Sequence, residues 1–146
     1  EQLSVVNHFK FKALLAVIAT DCCKAMWAGN NNFLCSLIFA SFKYLCEGVD
    51  VWITHIGGYP GKYAGRVKSV LEVSPPQVFI CGHSHILKVM RDPHYNMLCL
   101  NPGAAGIEGF HKIKTLLRFD VDKGALKNME VVEMGKRGAL PGTAAG

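Results

Sequence analysis

Turn-forming residues are nearly missing from the first third of this chain. Residues 1–46 contain one glycine, no proline and only two carboxylates, Glu1 and Asp21. The other fourteen of the fifteen glycines and all six prolines follow Cys46, so turn punctuation is concentrated there. Further absences exclude whole classes of function. No run of four basic residues occurs, and a net charge of +5 scattered along the chain leaves no nucleic-acid footprint or polybasic membrane signal. No CxxC pair occurs among the six cysteines, which excludes a zinc ribbon or a dithiol redox centre. Cys22 and Cys23 are adjacent, while Cys35, Cys46, Cys81 and Cys99 sit singly in apolar runs. That placement suits buried free thiols in a reducing cytoplasm better than a disulfide framework. The longest apolar stretches, ALLAVIA (13–19) and FLCSLIFASF (33–42), fall short of the roughly 18 residues a spanning helix needs. FKFKALLAVIATDC has the outline of a signal peptide, lysines before a short apolar stretch, and would suit a small secreted metal binder. The thiols favour the cytoplasm.

What remains is one domain's worth of globular chain, 146 residues with 50% hydrophobic and 18% charged side chains. VDVWIT (49–54) is short, β-branched and aromatic, and ends in the Gly/Pro loop HIGGYPGKY, which predicts a strand. AGRVKSVLEV (64–73) carries Val67, Val70 and Leu71 at helical spacing and stops before Pro75-Pro76. QVFIC (77–81) is a second apolar strand, so the three form a βαβ unit with parallel pairing. ILKVM (86–90) and MLCL (97–100) flank RDPHYN as an antiparallel hairpin. IKTLLRFDV (113–121) and ALKNMEVVEM (125–134) make another, with Asp122-Lys123-Gly124 as its turn. Residues 135–146 read as a small, flexible tail.

Three histidines collect at one edge of this arrangement. His55 closes the first strand of the βαβ unit, and His83 and His85 lie just past the second. Those are the carboxyl ends of parallel strands, where open α/β sheets bind ligands. With extended backbone, a spacing of two aims both imidazoles of His83 and His85 to one side. Gly82 and Ser84 are small enough for the chain to approach an ion or phosphate closely. Asn101-Pro102-Gly103 follows the next strand and can supply a turn at the same rim. A histidine at a strand end is otherwise a hydrogen-bonded structural residue, and His8, His94 and His111 have only that context.

GVDVWITHIGGYPGKY, VFICGHSH and MLCLNPGAAG, in that order, resemble the calcineurin-like metallophosphoesterases, and among them the small bacterial YfcE-type phosphodiesterases. The resemblance covers residues 44–134 and rests on GHSH and the later NPG, with strand-Thr-His in support. It implies an α/β fold, the αββα sandwich, and a centre of two divalent ions, manganese first, with nickel, iron or zinc also suited to imidazole. Two ions about 3.5–4 Å apart would bind the phosphoryl oxygens and provide the attacking hydroxide, so no side chain is expected as nucleophile. By the motif, His55 and His83 share one ion and His85 holds its neighbour. Gly57 and Gly58 would let their loop approach the substrate, with Lys62 against a phosphate oxygen. The expected partner is a small phosphate ester; a homo-oligomer is compatible with the sequence, and neither nucleic acid nor membrane is expected.

The resemblance also demands carboxylates that the chain does not offer in their usual places. No Asp-x-His and no Gly-Asp precede His55. Gly29-Asn30 stands at the right distance for the family's Gly-Asn, which makes Asn30 a candidate ligand. Asp21 ends an apolar run, but Cys23 occupies the place of the family's histidine, and eight residues before Gly29 are too few for the intervening elements. These facts divide the chain into a divergent or truncated N-terminal part (1–46), the C-terminal part of a metallophosphoesterase domain (47–134) and a tail (135–146). They leave two readings: a metal-dependent phosphodiesterase, impaired by missing carboxylates, or a catalytically inactive binding or scaffold module on the same fold.

Overall fold

The computed structural model describes residues 11–15, 41–106 and 111–137. In chain order the elements are β1 (Phe11–Leu15), β2 (Ser41–Cys46), β3 (Val49–Thr54), β4 (Gly58–Tyr59), β5 (Lys62–Tyr63) and α1 (Gly65–Val73). There follow β6 (Val78–Cys81), β7 (Leu87–Asp92), β8 (Met97–Pro102), β9 (Ile113–Asp122) and β10 (Ala125–Lys136).

The expected βαβ unit is present. β3 and β6 pair in parallel from Val51↔Val78 to Thr54↔Cys81, and α1 crosses between them. Val67 and Leu71 are buried on α1 and Val70 is half-buried, as their spacing predicts. Burying two such side chains contributes about 1.5–3 kcal/mol each. Beyond α1, Gln77 ties its side-chain oxygen to the Asp50 amide (2.8 Å) and its own amide to the Asp50 carbonyl (3.1 Å), which sets the β3–β6 register.

β8 adds to β6 in parallel, and β7 folds back on β8 as the antiparallel hairpin read from the sequence. β2 closes the other side, giving a five-stranded mixed sheet in the order β2-β3-β6-β8-β7. A second, antiparallel sheet has the order β1-β9-β10. Strand periodicity divides the side chains of the larger sheet between two cores. Val49, Val51, Val78, Ile80 and Leu100 meet Leu117, Phe119 and Val121 of β9 between the sheets. Trp52, Phe79, Cys81, Met97 and Cys99 point the other way and pack with Val67 and Leu71 of α1. The described residues therefore stack as helix, sheet and sheet, layers of the α/β sandwich expected from the sequence.

Three features depart from the sequence reading. The compositional boundary at Cys46 falls inside a hairpin: β2 pairs with β3 residue for residue from Ser41↔Thr54 to Cys46↔Val49. Its turn, Glu47-Gly48, has φ of 47° and 81°, the left-handed pair of a two-residue hairpin. The loop HIGGYPGKY contains its own small ladder, Gly58↔Tyr63 and Tyr59↔Lys62, turned by Pro60-Gly61. Finally, the last strand runs beyond Met134. Gly135, at φ 84°, lets β10 continue to Lys136, which pairs with Ile113. Arg137 then donates to the carbonyls of His111, Gly106 and Ala104, so residues 135–137 belong to the fold rather than to a tail.

Candidate metal centre and adjoining pocket

Because β3 and β6 are parallel and in register, their carboxyl ends lie side by side. The Gly82 amide donates to the His55 carbonyl at 3.0 Å, which continues the ladder one step past the strands. This brings His55 Nε2 and His83 Nδ1 to 3.3 Å, with the rings edge to face and their centroids 5.2 Å apart. Burial pushes the His55 pKa below its ordinary value, and the nearness of His83, His85 and Arg66 lowers it further. His55 is therefore a neutral imidazole at pH 7, the form that binds metals.

The expected extended backbone through GHSH is not what the chain adopts. His83 and His85 both have left-handed φ, 63° and 57°. For non-glycine residues that conformation costs of order 1–3 kcal/mol each, so something must hold it. The holder is Asn101, buried at the end of β8. Its Nδ2 donates to the Gly82 carbonyl (3.1 Å) and to Ser84 Oγ (3.0 Å), while its Oδ1 accepts from the Gly103 amide (3.1 Å). Ser84 tightens the same turn by donating its amide to the Gly82 carbonyl at 2.7 Å. The NPG motif thus acts across the sheet, strapping the histidine turn to the neighbouring strand.

Arg66, by contrast, is a residue that pattern reading passed over. Its guanidinium donates to Thr54 Oγ1 (3.1 Å) and the Ile56 carbonyl (2.9 Å), pinning the chain on both sides of His55. A cation in the first turn of a helix is electrostatically out of place, and that misplacement is the signal for it.

Beside the histidines opens a pocket of about 290 Å³. The β3–α1 connection lines one wall, including Ile56, Gly57, Gly58, Tyr59 and Lys62. Cys81, Gly82, His83 and Ser84 line it from the end of β6 and the turn that follows, with Lys88 and Met90 of β7 and Cys99 and Asn101 of β8. His83 belongs to this lining, whereas His55 and His85 do not. Gly57 and Gly58 shape the wall for reasons of space. A Cβ on Gly57 would lie 2.5 Å from Cys81 Cβ and 2.6 Å from Phe79 Cζ, so glycine alone seats the loop on β6. Gly58 has φ 85°, and a Cβ there would strike the Lys62 carbonyl of the small ladder.

The donor set fits part of a metal shell. Two nitrogens each about 2.05 Å from a tetrahedral ion stand about 3.3 Å apart, the separation of the His55–His83 pair. His85 is near enough to act on the His55 charge. Among the described residues no group of three or more His, Cys, Asp or Glu side chains is placed to hold an ion, so neither His85 nor a carboxylate joins the His55–His83 pair in one shell there. Asn30, Asp21 and Cys23 lie outside the described residues.

Residues 8–124 match the calcineurin-like phosphoesterase superfamily domain. The chain belongs to that superfamily. The match begins well before the stretch that carries the GHSH and NPG motifs and takes in most of the glycine-poor N-terminal part. Among solved structures that the chain matches in part, an archaeal phosphodiesterase is 19% identical with a TM-score of 0.49, over 64% of this chain and 50% of its own. A Thermotoga maritima protein solved by NMR in solution is 24% identical with a TM-score of 0.48, over 73% of this chain and 62% of its own. Vacuolar protein sorting 29 from Cryptosporidium parvum is 17% identical with a TM-score of 0.41, over 82% and 78%. The chain thus spans only 50% and 62% of the length of the first two structures. A comparison with curated proteins gives no match. No described helix is long and apolar enough to cross a membrane.

Proposed function

We propose that this superfamily member is a metal-dependent phosphoesterase of the YfcE phosphodiesterase type, acting on a small phosphate ester in the cytoplasm. The observation that carries the reading is the 3.3 Å approach of His55 Nε2 and His83 Nδ1 at the carboxyl ends of two parallel strands. In this reading His55 and His83 hold one divalent ion, His85 holds its neighbour, and Asn30 contributes a further ligand. Manganese is the first choice, with nickel, iron and zinc also suited to imidazole. When bound, such ions supply Lewis acidity toward the phosphoryl oxygens and activate water. The chain's own residues do the positioning. The Gly82–His55 hydrogen bond and the Asn101 strap set the two imidazoles, and Arg66 fixes the strand end that carries the first. Lys62 stands at the pocket wall, where its ammonium binds a phosphate oxygen. The free thiols Cys46, Cys81 and Cys99 support a reducing compartment.

The test is Mn²⁺-dependent hydrolysis of bis(p-nitrophenyl) phosphate by the full chain, with His83→Ala purified in parallel. Metal-dependent turnover reduced at least about a hundredfold in the variant is the expected result, since a ligand to the ion is lost. Equal rates in the two proteins would mean that the fold persists without its chemistry, and the scaffold reading would replace this one.

A further inference from the structure

The phosphoesterase reading leaves one cation of the pocket without a task. Lys88 extends from β7 and places its ammonium 3.4 Å from the centre of the Tyr59 ring. The same ammonium acts on the Cys81 thiol at the end of β6, so the side chain reaches inward rather than away into solvent. Lys62 lines the cavity from the β4–β5 ladder, and among the described residues no Asp or Glu lines it. Among the described residues neither lysine takes part in an ion pair. The remaining surface is largely apolar or aromatic, with Tyr59, Tyr63, Met90 and the thiols of Cys81 and Cys99.

Two ammonium groups in one cavity without a carboxylate repel each other and attract anions. In the phosphoesterase reading the ions and Lys62 meet the charge of the phosphoryl group. The charge of Lys88 is then left for something else. A volume near 290 Å³ sits at the lower limit for small-molecule sites, with room for a single ring and its substituents but not for a polymer strand. The tyrosine walls favour a flat group.

We propose that this pocket receives the organic half of the phosphate ester, and that this half is a compact, flat group carrying its own anionic substituent, which Lys88 binds. The assignment rests on the phosphoesterase reading for the position of the phosphate at His83. It predicts selection of ligands with two separated negative groups over ligands with one.

Titration calorimetry on the full chain with phenyl phosphate, 4-carboxyphenyl phosphate and inorganic phosphate tests it. The carboxylated ligand should bind about fivefold more tightly than phenyl phosphate, the gain of one partly exposed ion pair. Lys88→Met should erase that preference while leaving the affinity for inorganic phosphate within about twofold. Equal affinity of wild type for the two aryl phosphates, failure to bind either, or a preference that survives Lys88→Met would overturn the assignment. If Lys88→Met does not fold, the wild-type comparison of the two aryl ligands decides alone. Turnover of bis(p-nitrophenyl) phosphate separates the two claims. An inactive chain that still prefers the carboxylated ligand would sink the phosphoesterase reading and keep the pocket. An active one without the preference would do the reverse.

Discussion

The two faces of the five-stranded sheet are built from the same strands and serve different ends. Toward β9, Val78, Ile80, Leu98 and Leu100 pack with Leu117, Phe119 and Val121 in an apolar core. Toward α1, the alternate positions of the same strands are Phe79, Cys81, Cys99 and Asn101, and there the thiols, the tyrosines and the pocket are found. Because strand side chains alternate with a period of two, one strand can commit one face to stability and the other to a site. The contrast is sharpest at β8, where Leu100 is sealed between the sheets and Asn101, the next residue, straps the histidine turn.

Cavity-forming substitutions would separate the faces most strongly. Leu117→Ala should cost about 2–5 kcal/mol and Phe79→Ala about 3–5 kcal/mol in denaturant unfolding, since both are fully buried. Only Phe79→Ala should also raise KM for bis(p-nitrophenyl) phosphate, because its ring backs Gly57 in the pocket wall. A change in KM with Leu117→Ala as large as with Phe79→Ala would break the division.

Alkaline pH probes the helix-side face next. Burial, with Cys99 beside it, raises the Cys81 thiol from 9.0 to about 11. Burial and the hydrogen bond to Asp92 raise the Tyr63 phenol as well. Folding thus favours the protonated forms; for Cys81 this stability is complete below pH 9 and is lost as pH climbs through 11. For Cys81 the loss is about 2–3 kcal/mol, which Cys81→Ala should remove from the pH dependence of unfolding. An unchanged slope in that variant would place the titration elsewhere.

Smaller effects fall on the histidine turn. Asn101→Ala strips hydrogen bonds from the Gly82 carbonyl and the Gly103 amide, and should cost about 1–3 kcal/mol together with most of the metal-dependent turnover. His83→Gly should act oppositely on the two readouts. It relieves a left-handed side-chain residue and should stabilise by about 1 kcal/mol, while abolishing the turnover that the phosphoesterase reading requires. Destabilisation by His83→Gly would mean that the imidazole holds the turn and is not held by it.

Much of this architecture was legible because local signals agreed. Val67, Val70 and Leu71 announced α1, Pro75-Pro76 ended it, and Asp122-Lys123-Gly124 marked the β9–β10 turn where Lys123 and Gly124 take φ of 48° and 78°. β2 was not legible, since Phe42, Tyr44 and Leu45 are all exposed and show no alternation to separate them from the preceding apolar run. Its strand identity comes from the partner β3, not from its own pattern. At the site, the histidine types and their order were readable, but Lys88 and Arg66 were not, because nothing within a few residues of either marks the contact it makes.

The sequence by itself determined which chemistry could be assembled: three histidines near strand ends, glycines where the loop turns, and two sets of strand positions of opposite character. These are local properties, set by side-chain type and by a spacing of two or nearly four residues. Only the tertiary structure decided the conformation in which that chemistry is presented. The left-handed turn at His83 and His85 opposes the intrinsic preference of both residues and persists through bonds from Asn101 on another strand. The 3.3 Å approach of His55 and His83 joins residues twenty-eight apart in the chain, and it exists because parallel pairing of β3 and β6 ends both strands at one edge.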